Sequence, residues 1–187
     1  MREILSGFGV EVVTRDDLGI TMDIEETGTT FFENAKLKAV AICKAAGMPS
    51  IADDSGLVVE ALGGEPGVYS SSYGGEELSA EERCRYLLRK INESNNKEQR
   101  GAKFVCTIVC AFTDGSLISA TGECTGTITA GLRGSGGFGY DPVFKPDGSD
   151  KTMAELMIDE KNKISHRANA LLEFSRLLKL YTEGEQV

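Results

Sequence analysis

A chain of 187 residues, 41% hydrophobic and 26% charged, is long enough for one buried core or two lobes, and it has no run of 18 apolar residues to form a membrane span. The formal charge of −9 opposes the phosphate backbone of nucleic acid, so a phosphorylated ligand has to be met by a local cationic cluster or a metal. Five cysteines (Cys43, Cys84, Cys106, Cys110 and Cys124) are odd in number and lack C-x-x-C spacing, and no charged n-region with an apolar h-region opens the chain. They read as buried thiols in a reducing cytosol, not as a zinc site, and export is not expected.

In chain order, Arg2 to Gly9 reads as the last turns of a helix, and Val10 to Val13 alternates like a short strand. An acidic loop follows at Asp23 to Gly28. Thr30-Phe31-Phe32-Glu33 matches a capping box and opens a helix over 31–46, which ends at Lys44, Gly47 and Pro49. Residues 50–53 read as a strand entering the core, and Gly56 as a turn into a second apolar segment. Two readings stand for the adjacent acids Asp53 and Asp54. Carboxylates at the end of a buried strand have to be paired, hydrogen-bonded or bound to a cation, which suits Mg2+ held against phosphates; alternatively, they cap the turn before Ser55-Gly56.

A glycine-rich loop with two tyrosines spans 63–75, and Ser79 caps a helix over 80–91. Residues 92–101 form a polar linker. Residues 102–112 read as a central strand, turned by Asp114-Gly115 into a strand over 117–122, with a further strand at 126–129. The second glycine-rich stretch, 131–144, contains Phe138-Gly139-Tyr140-Asp141. Its glycines admit close backbone approach, Phe138 and Tyr140 offer rings to a base, and Asp141 can accept from a ring or exocyclic N–H; a tight turn with core aromatics is the alternative. A helix is expected to begin at Thr152 and the last helix to span 168–181. The only histidine, His166, lies beside Arg167 and shortly after Lys161 and Lys163, where a helix N-terminus and cations together favour an anion. Alternating β and α elements followed by a meander give an α/β class: a mixed sheet flanked by helices, in two lobes with a cleft.

Taken together, Glu-Glu-Thr-Gly (25–28), Phe-Glu-Asn-Ala (32–35), Ala-Asp-Asp-Ser-Gly-Leu (52–57), Gly-Gly-Phe-Gly-Tyr-Asp-Pro (136–142) and Ile-Ser-His-Arg (164–167) resemble the inosine triphosphate pyrophosphatase family. The five segments occur in the family's order over nearly the whole chain. The resemblance implies a homodimer, an elongated mixed sheet with a cleft between two lobes, and Mg2+-dependent hydrolysis of dITP, ITP and XTP to the monophosphate and pyrophosphate. It also implies roles for particular residues. Asp54 matches the proton acceptor and metal ligand, Glu26 the other metal-associated acid, and Ser55 a substrate contact. Phe138, Gly139, Tyr140 and Asp141 match the base-holding segment, and Lys161, His166 and Arg167 further substrate contacts. Asp53 and Glu33 are nearby acids without an assigned role.

Two departures stand out. The loop arginine usual in the family is Ser72 here, and the family's opening strand and Thr/Ser-Gly-Asn-x-x-Lys phosphate loop are not in this sequence, which is otherwise read as a single pyrophosphatase domain. Rival functions are a pyrophosphatase for other modified nucleotides, separated by a substrate panel, and a nucleotide-binding protein of weak catalysis, separated by pyrophosphate release from dITP.

Overall fold

A computed structural model describes residues 10–184; the helical turns expected at Arg2 to Gly9 lie outside the described residues. The described chain divides into two compact units. One takes residues 10–54, 106–122 and 167–184, the other 55–105 and 123–166. Four strands, β1 (Ser50–Val59), β2 (Gly101–Ala111), β3 (Leu117–Ile128) and β4 (Phe144–Pro146), form one sheet in the order β1-β2-β3-β4. The helices are α1 (Phe31–Ala46), α2 (Ala80–Glu93), α3 (Ile158–Ile164) and α4 (His166–Thr182). This is the expected α/β class; the pairing among the described residues is antiparallel.

Local chemistry accounts for the helix starts. At α1 the Thr30 hydroxyl accepts from the Glu33 N–H (3.1 Å), while the Glu33 carboxylate accepts from the N–H groups of Thr29 (2.7 Å) and Thr30 (3.1 Å). Glu33 is thereby a cap, and these bonds hold its carboxyl below the usual range. Gly47 ends the helix at φ +66°. Ser79 and Glu82 repeat the capping box at α2, whose Cys84, Leu87, Leu88 and Ile91 form its buried stripe.

Each unit has its own core. In the first, Cys106, Ile108, Cys110, Ile118 and Ala120 pack on Ala170, Leu171, Phe174 and Leu178 of α4, while Ala35, Ala39 and Cys43 of α1 pack on Val109 and Ala111. In the second, Leu57, Val59, Leu87, Ile91, Phe104, Val143, Phe144 and Met153 form the centre, with the Phe104 and Phe144 rings 4.6 Å apart. All five cysteines are buried thiols.

Several boundaries differ from the sequence reading. Val10 to Val13 is not a strand: Val10 and Val13 are exposed, and only Val12 packs against a core. Gly56 is not a turn, because its φ is not left-handed and β1 runs unbroken through it. The two strands expected at 117–122 and 126–129 are one. Its buried positions alternate through Gly122, Cys124 and Gly126, and Gly126 serves close approach, since a Cβ there would lie 2.3 Å from the Lys145 carbonyl oxygen of β4. The helix expected at Thr152 is one 3-10 turn (Met153–Glu155). The Glu155 carboxylate accepts from the Thr152 N–H (2.8 Å), the Thr152 hydroxyl donates to the Arg133 carbonyl (2.8 Å), and the backbone is extended again at Leu156. The last helix begins at His166, not 168.

Candidate functional site

In a strand, successive side chains point to opposite faces, so the adjacent acids of β1 have different partners. Asp54 is 8% exposed. Its Oδ1 accepts from Lys38 Nζ (3.1 Å) and its Oδ2 from Asn34 Nδ2 (3.4 Å). The same ammonium donates to Glu26 Oε1 at 3.1 Å. Asn34 and Lys38 stand one turn apart on α1 and reach Asp54 from the same helix face. Asn34 is in turn fixed by the Gly28 N–H, which donates to its Oδ1 (2.8 Å). A Cβ at Gly28 would lie 2.6 Å from that oxygen, so the Glu-Glu-Thr-Gly segment needs its glycine for this contact.

Burial pushes the Asp54 carboxyl above the usual carboxylate range. Lys38 and the Asn34 amide oppose the rise, and the Glu26 charge adds to it.

Asp53 is paired differently. Its Oδ2 accepts from Arg167 Nη2 (3.0 Å) and Nε (3.3 Å), and the Cys106 thiol lies 3.8 Å away. Both acids are therefore paired, and neither caps a turn at Ser55-Gly56. Ser55, the next residue of β1, is half-buried.

Within the second unit, Asp141 is almost fully buried at the start of a 3-10 turn (Asp141–Val143). Its Oδ2 accepts from the Phe138 N–H (2.7 Å) and from the Lys161 ammonium, which reaches it from α3. Gly137 is obligatory here: its φ is +75°, and a Cβ would stand 2.0 Å from Asp141 Oδ2. Lys161 Nζ also lies 4.3 Å from the centroid of the Phe138 ring.

The two aromatic residues of the segment are not equivalent. Phe138 is 60% exposed, whereas Tyr140 is 4% exposed, belongs to the core, and donates its O–H to the Ser70 carbonyl (2.8 Å). Of the two rings expected to face a base, only Phe138 is available. Burial raises the Tyr140 phenol above its ordinary pKa.

Lys161, His166 and Arg167, read from the sequence as neighbours favouring an anion, have separate surroundings. Lys161 is on Asp141. His166 is buried with its ring stacked on Phe104, centroids 4.9 Å apart and planes 17° apart. Arg167 is on Asp53.

Two functional-looking residues escape a sequence reading. Lys38 joins Glu26 and Asp54 but is one lysine among three in α1; the available signal is its i,i+4 spacing from Asn34, beside the Ala35/Ala39 core face. Ser70, the acceptor for Tyr140, has no local signal.

The Ham1 family profile matches residues 1–177. The chain belongs to the Ham1 family. It is similar to the dITP/XTP pyrophosphatase of Bacillus subtilis, 46% identical over 177 residues that make up 95% of this chain and 89% of that protein. It is similar as well to the dITP/XTP pyrophosphatase of Aquifex aeolicus, at 48% over 188 residues, 96% of this chain and 90% of that protein. Among solved structures it resembles the HAM1 protein of Coxiella burnetii, with a TM-score of 0.90, 38% identity and coverage of 95% of this chain and 90% of that one. The Staphylococcus aureus Ham1 protein gives 0.84 and 42%, covering 100% and 96%.

As a Ham1 protein the chain calls for a test of whether its acids suit a divalent cation. Among the described residues there is no group of three or more His, Cys, Asp or Glu side chains placed to ligate a metal. Glu26 and Asp54 nonetheless converge on one cationic position, marked by the Lys38 ammonium. Two carboxylates completed by phosphate oxygens and water is the donor set that Mg2+ favours. The residues fit the ion. Among the described residues no helix is long and apolar enough to cross a membrane.

Proposed function

We propose that this Ham1 protein hydrolyses non-canonical purine nucleoside triphosphates (dITP, ITP and XTP) to the monophosphate and pyrophosphate, removing them from the nucleotide pool. The observation that carries the reading is the buried Asp54, held with Glu26 around one ammonium and raised in pKa by its burial; the dITP/XTP pyrophosphatase names of its relatives support the substrate class.

Glu26 and Asp54 would hold Mg2+, which supplies charge neutralisation on the phosphates. Asp54 is the proton acceptor for the water that attacks the α-phosphorus, and a carboxylate whose pKa is raised by burial is a better base for that task. Lys38 opposes the rise in the Asp54 pKa and orients its Oδ1, and Asn34 fixes its second oxygen. Arg167, aligned by Asp53, places a guanidinium against the triphosphate, where pyrophosphate charge develops. Ser55 contacts the substrate from the position after Asp54.

The base is held at the turn Phe138-Gly139-Tyr140-Asp141 with Lys161, Phe138 facing it and Tyr140 anchoring the turn from the core. The Lys161 ammonium, tied to Asp141 on one side, donates on the other to a 6-oxo group. Adenine presents an amino group there and leaves the donor unpaired, which is how a site rejects an analogue. Phe138 stacks on the purine. His166, buried against Phe104 at the first residue of α4, acts on the substrate by bracing this unit. The working protein is a cytoplasmic homodimer with no nucleic-acid polymer and no membrane as partner.

Pyrophosphate release from dITP, XTP, dATP, dGTP and dTTP, with and without Mg2+, tests the reading. It predicts fast, metal-dependent release from dITP and XTP and slow release from dATP and dTTP. Faster release from a pyrimidine nucleotide, or none from any, would sink it.

A further inference from the structure

The segment proposed to hold the base is anchored from outside itself at two points. The Cys84 thiol, in the buried stripe of α2, donates to the Gly139 carbonyl at 3.3 Å. The Tyr140 O–H donates to the carbonyl of Ser70, a residue of the first glycine-rich loop. Ser70 is itself pinned. Its hydroxyl donates to the Gly67 carbonyl (2.6 Å) and accepts from the Leu57 N–H of β1 (2.8 Å), and its own N–H closes the 3-10 turn onto Gly67 (3.2 Å). Ser70 is 8% exposed. A buried phenol has to find an acceptor, and here it finds a backbone oxygen that no side-chain rotamer can move away. The tether is continuous: β1 fixes Ser70, Ser70 fixes Tyr140, and Tyr140 stands between Phe138 and Asp141.

We propose that Ser70 is a positioning residue for base selection, acting through the Tyr140 hydroxyl, with the Cys84 thiol as the second anchor of the same turn. The proposal rests on the reading that residues 138–141 and Lys161 hold the purine. Discrimination between a 6-oxo and a 6-amino group depends on donor placement to a fraction of an ångström. Freeing Tyr140 lets the turn shift, and with it Asp141, which seats the Lys161 ammonium. The tether ends on the segment proposed to hold the base, so the loss is expected on KM for dITP and not on kcat.

The test measures kcat and KM for dITP and dATP, with thermal melting, for the wild type, Tyr140→Phe, Ser70→Ala, Cys84→Ala and Cys84→Ser. Tyr140→Phe and Ser70→Ala are expected to lower the dITP:dATP ratio of kcat/KM about tenfold, the size of one neutral hydrogen bond, through a raised KM for dITP. Cys84→Ala lowers it several-fold, and Cys84→Ser, which keeps a donor, restores most of the loss. A ratio within about twofold of wild type in Tyr140→Phe overturns the proposal, as does an equal fall for both nucleotides. Should Ser70→Ala fail to fold, Tyr140→Phe and the Cys84 pair decide by the same criterion. A selective wild type with unaltered variants overturns the positioning role alone; a wild type without preference for dITP overturns the base-site reading and the proposal with it.

Discussion

Lys38 Nζ stands 3.1 Å from Asp54 Oδ1 and 3.1 Å from Glu26 Oε1, so a single ammonium joins the two carboxylates proposed to hold a metal. Lys38 is partly buried and Asp54 more so, which keeps the interaction from being screened as a surface pair would be.

From this geometry, Lys38→Met should raise the Asp54 pKa further, since the ammonium is the main group opposing the effect of burial. If Asp54 is the base, the acid limb of kcat/KM against pH moves to higher pH in the variant and activity at pH 7 falls. A pH–rate profile checks this, and an acid limb at the wild-type position would assign the base elsewhere.

The same carboxyl makes a stability prediction with a definite sign. A folded-state pKa above the unfolded value, about 3.9 for Asp, means that the native state binds the proton more tightly. Its stability contribution is present below the unfolded pKa and is lost as pH rises through the folded pKa. Asp54→Asn, neutral at every pH, should therefore melt at or above the wild-type temperature at pH 7, with the gain shrinking as pH falls toward 4. Melting curves across that range test it; a variant that melts lower at pH 7 would show that Lys38 and Asn34 outweigh the cost of burying the charge.

Gly137→Ala should be far more damaging than Gly148→Ala. Both glycines have φ near +75°, so both substitutions incur backbone strain of roughly 1 kcal/mol. Only at Gly137 does the new Cβ collide with Asp141 Oδ2, whereas nothing lies within 4 Å at Gly148. We expect Gly148→Ala to lose only stability, and Gly137→Ala to lose dITP turnover at least tenfold at a temperature where it remains folded. Equal kinetic losses would remove Asp141 from the site.

What the sequence made legible was what is local. The capping box at Thr30/Glu33, the Ser79 cap and the Asp114-Gly115 turn depend on residues within four positions of each other, and all occur as read. Gly56 and the Gly122–Gly126 stretch misled because glycine signals a turn unless something approaches it, and whether β4 approaches Gly126 is a tertiary fact. The acids Asp54 and Glu26 and the Phe138–Asp141 segment were visible as residue types in order. Their partners were not: Lys38 lies 16 residues from Asp54, Ser70 lies 70 from Tyr140, and Arg167 lies 114 from Asp53. The burial that separates Tyr140 from Phe138 is equally non-local. Both belong to one five-residue aromatic and glycine cluster, and only the core around Leu57, Leu87 and Val143 distinguishes them.

The most direct test of the central claim is kcat/KM for pyrophosphate release from dITP by Asp54→Asn beside the wild type, both confirmed folded by their melting curves. The change is nearly isosteric and removes the charge proposed to bind metal and accept the proton. The account predicts a loss of at least a thousandfold, about 4 kcal/mol of transition-state stabilisation. Retention of more than about a tenth of wild-type kcat/KM, a loss under roughly 1.4 kcal/mol, would contradict it.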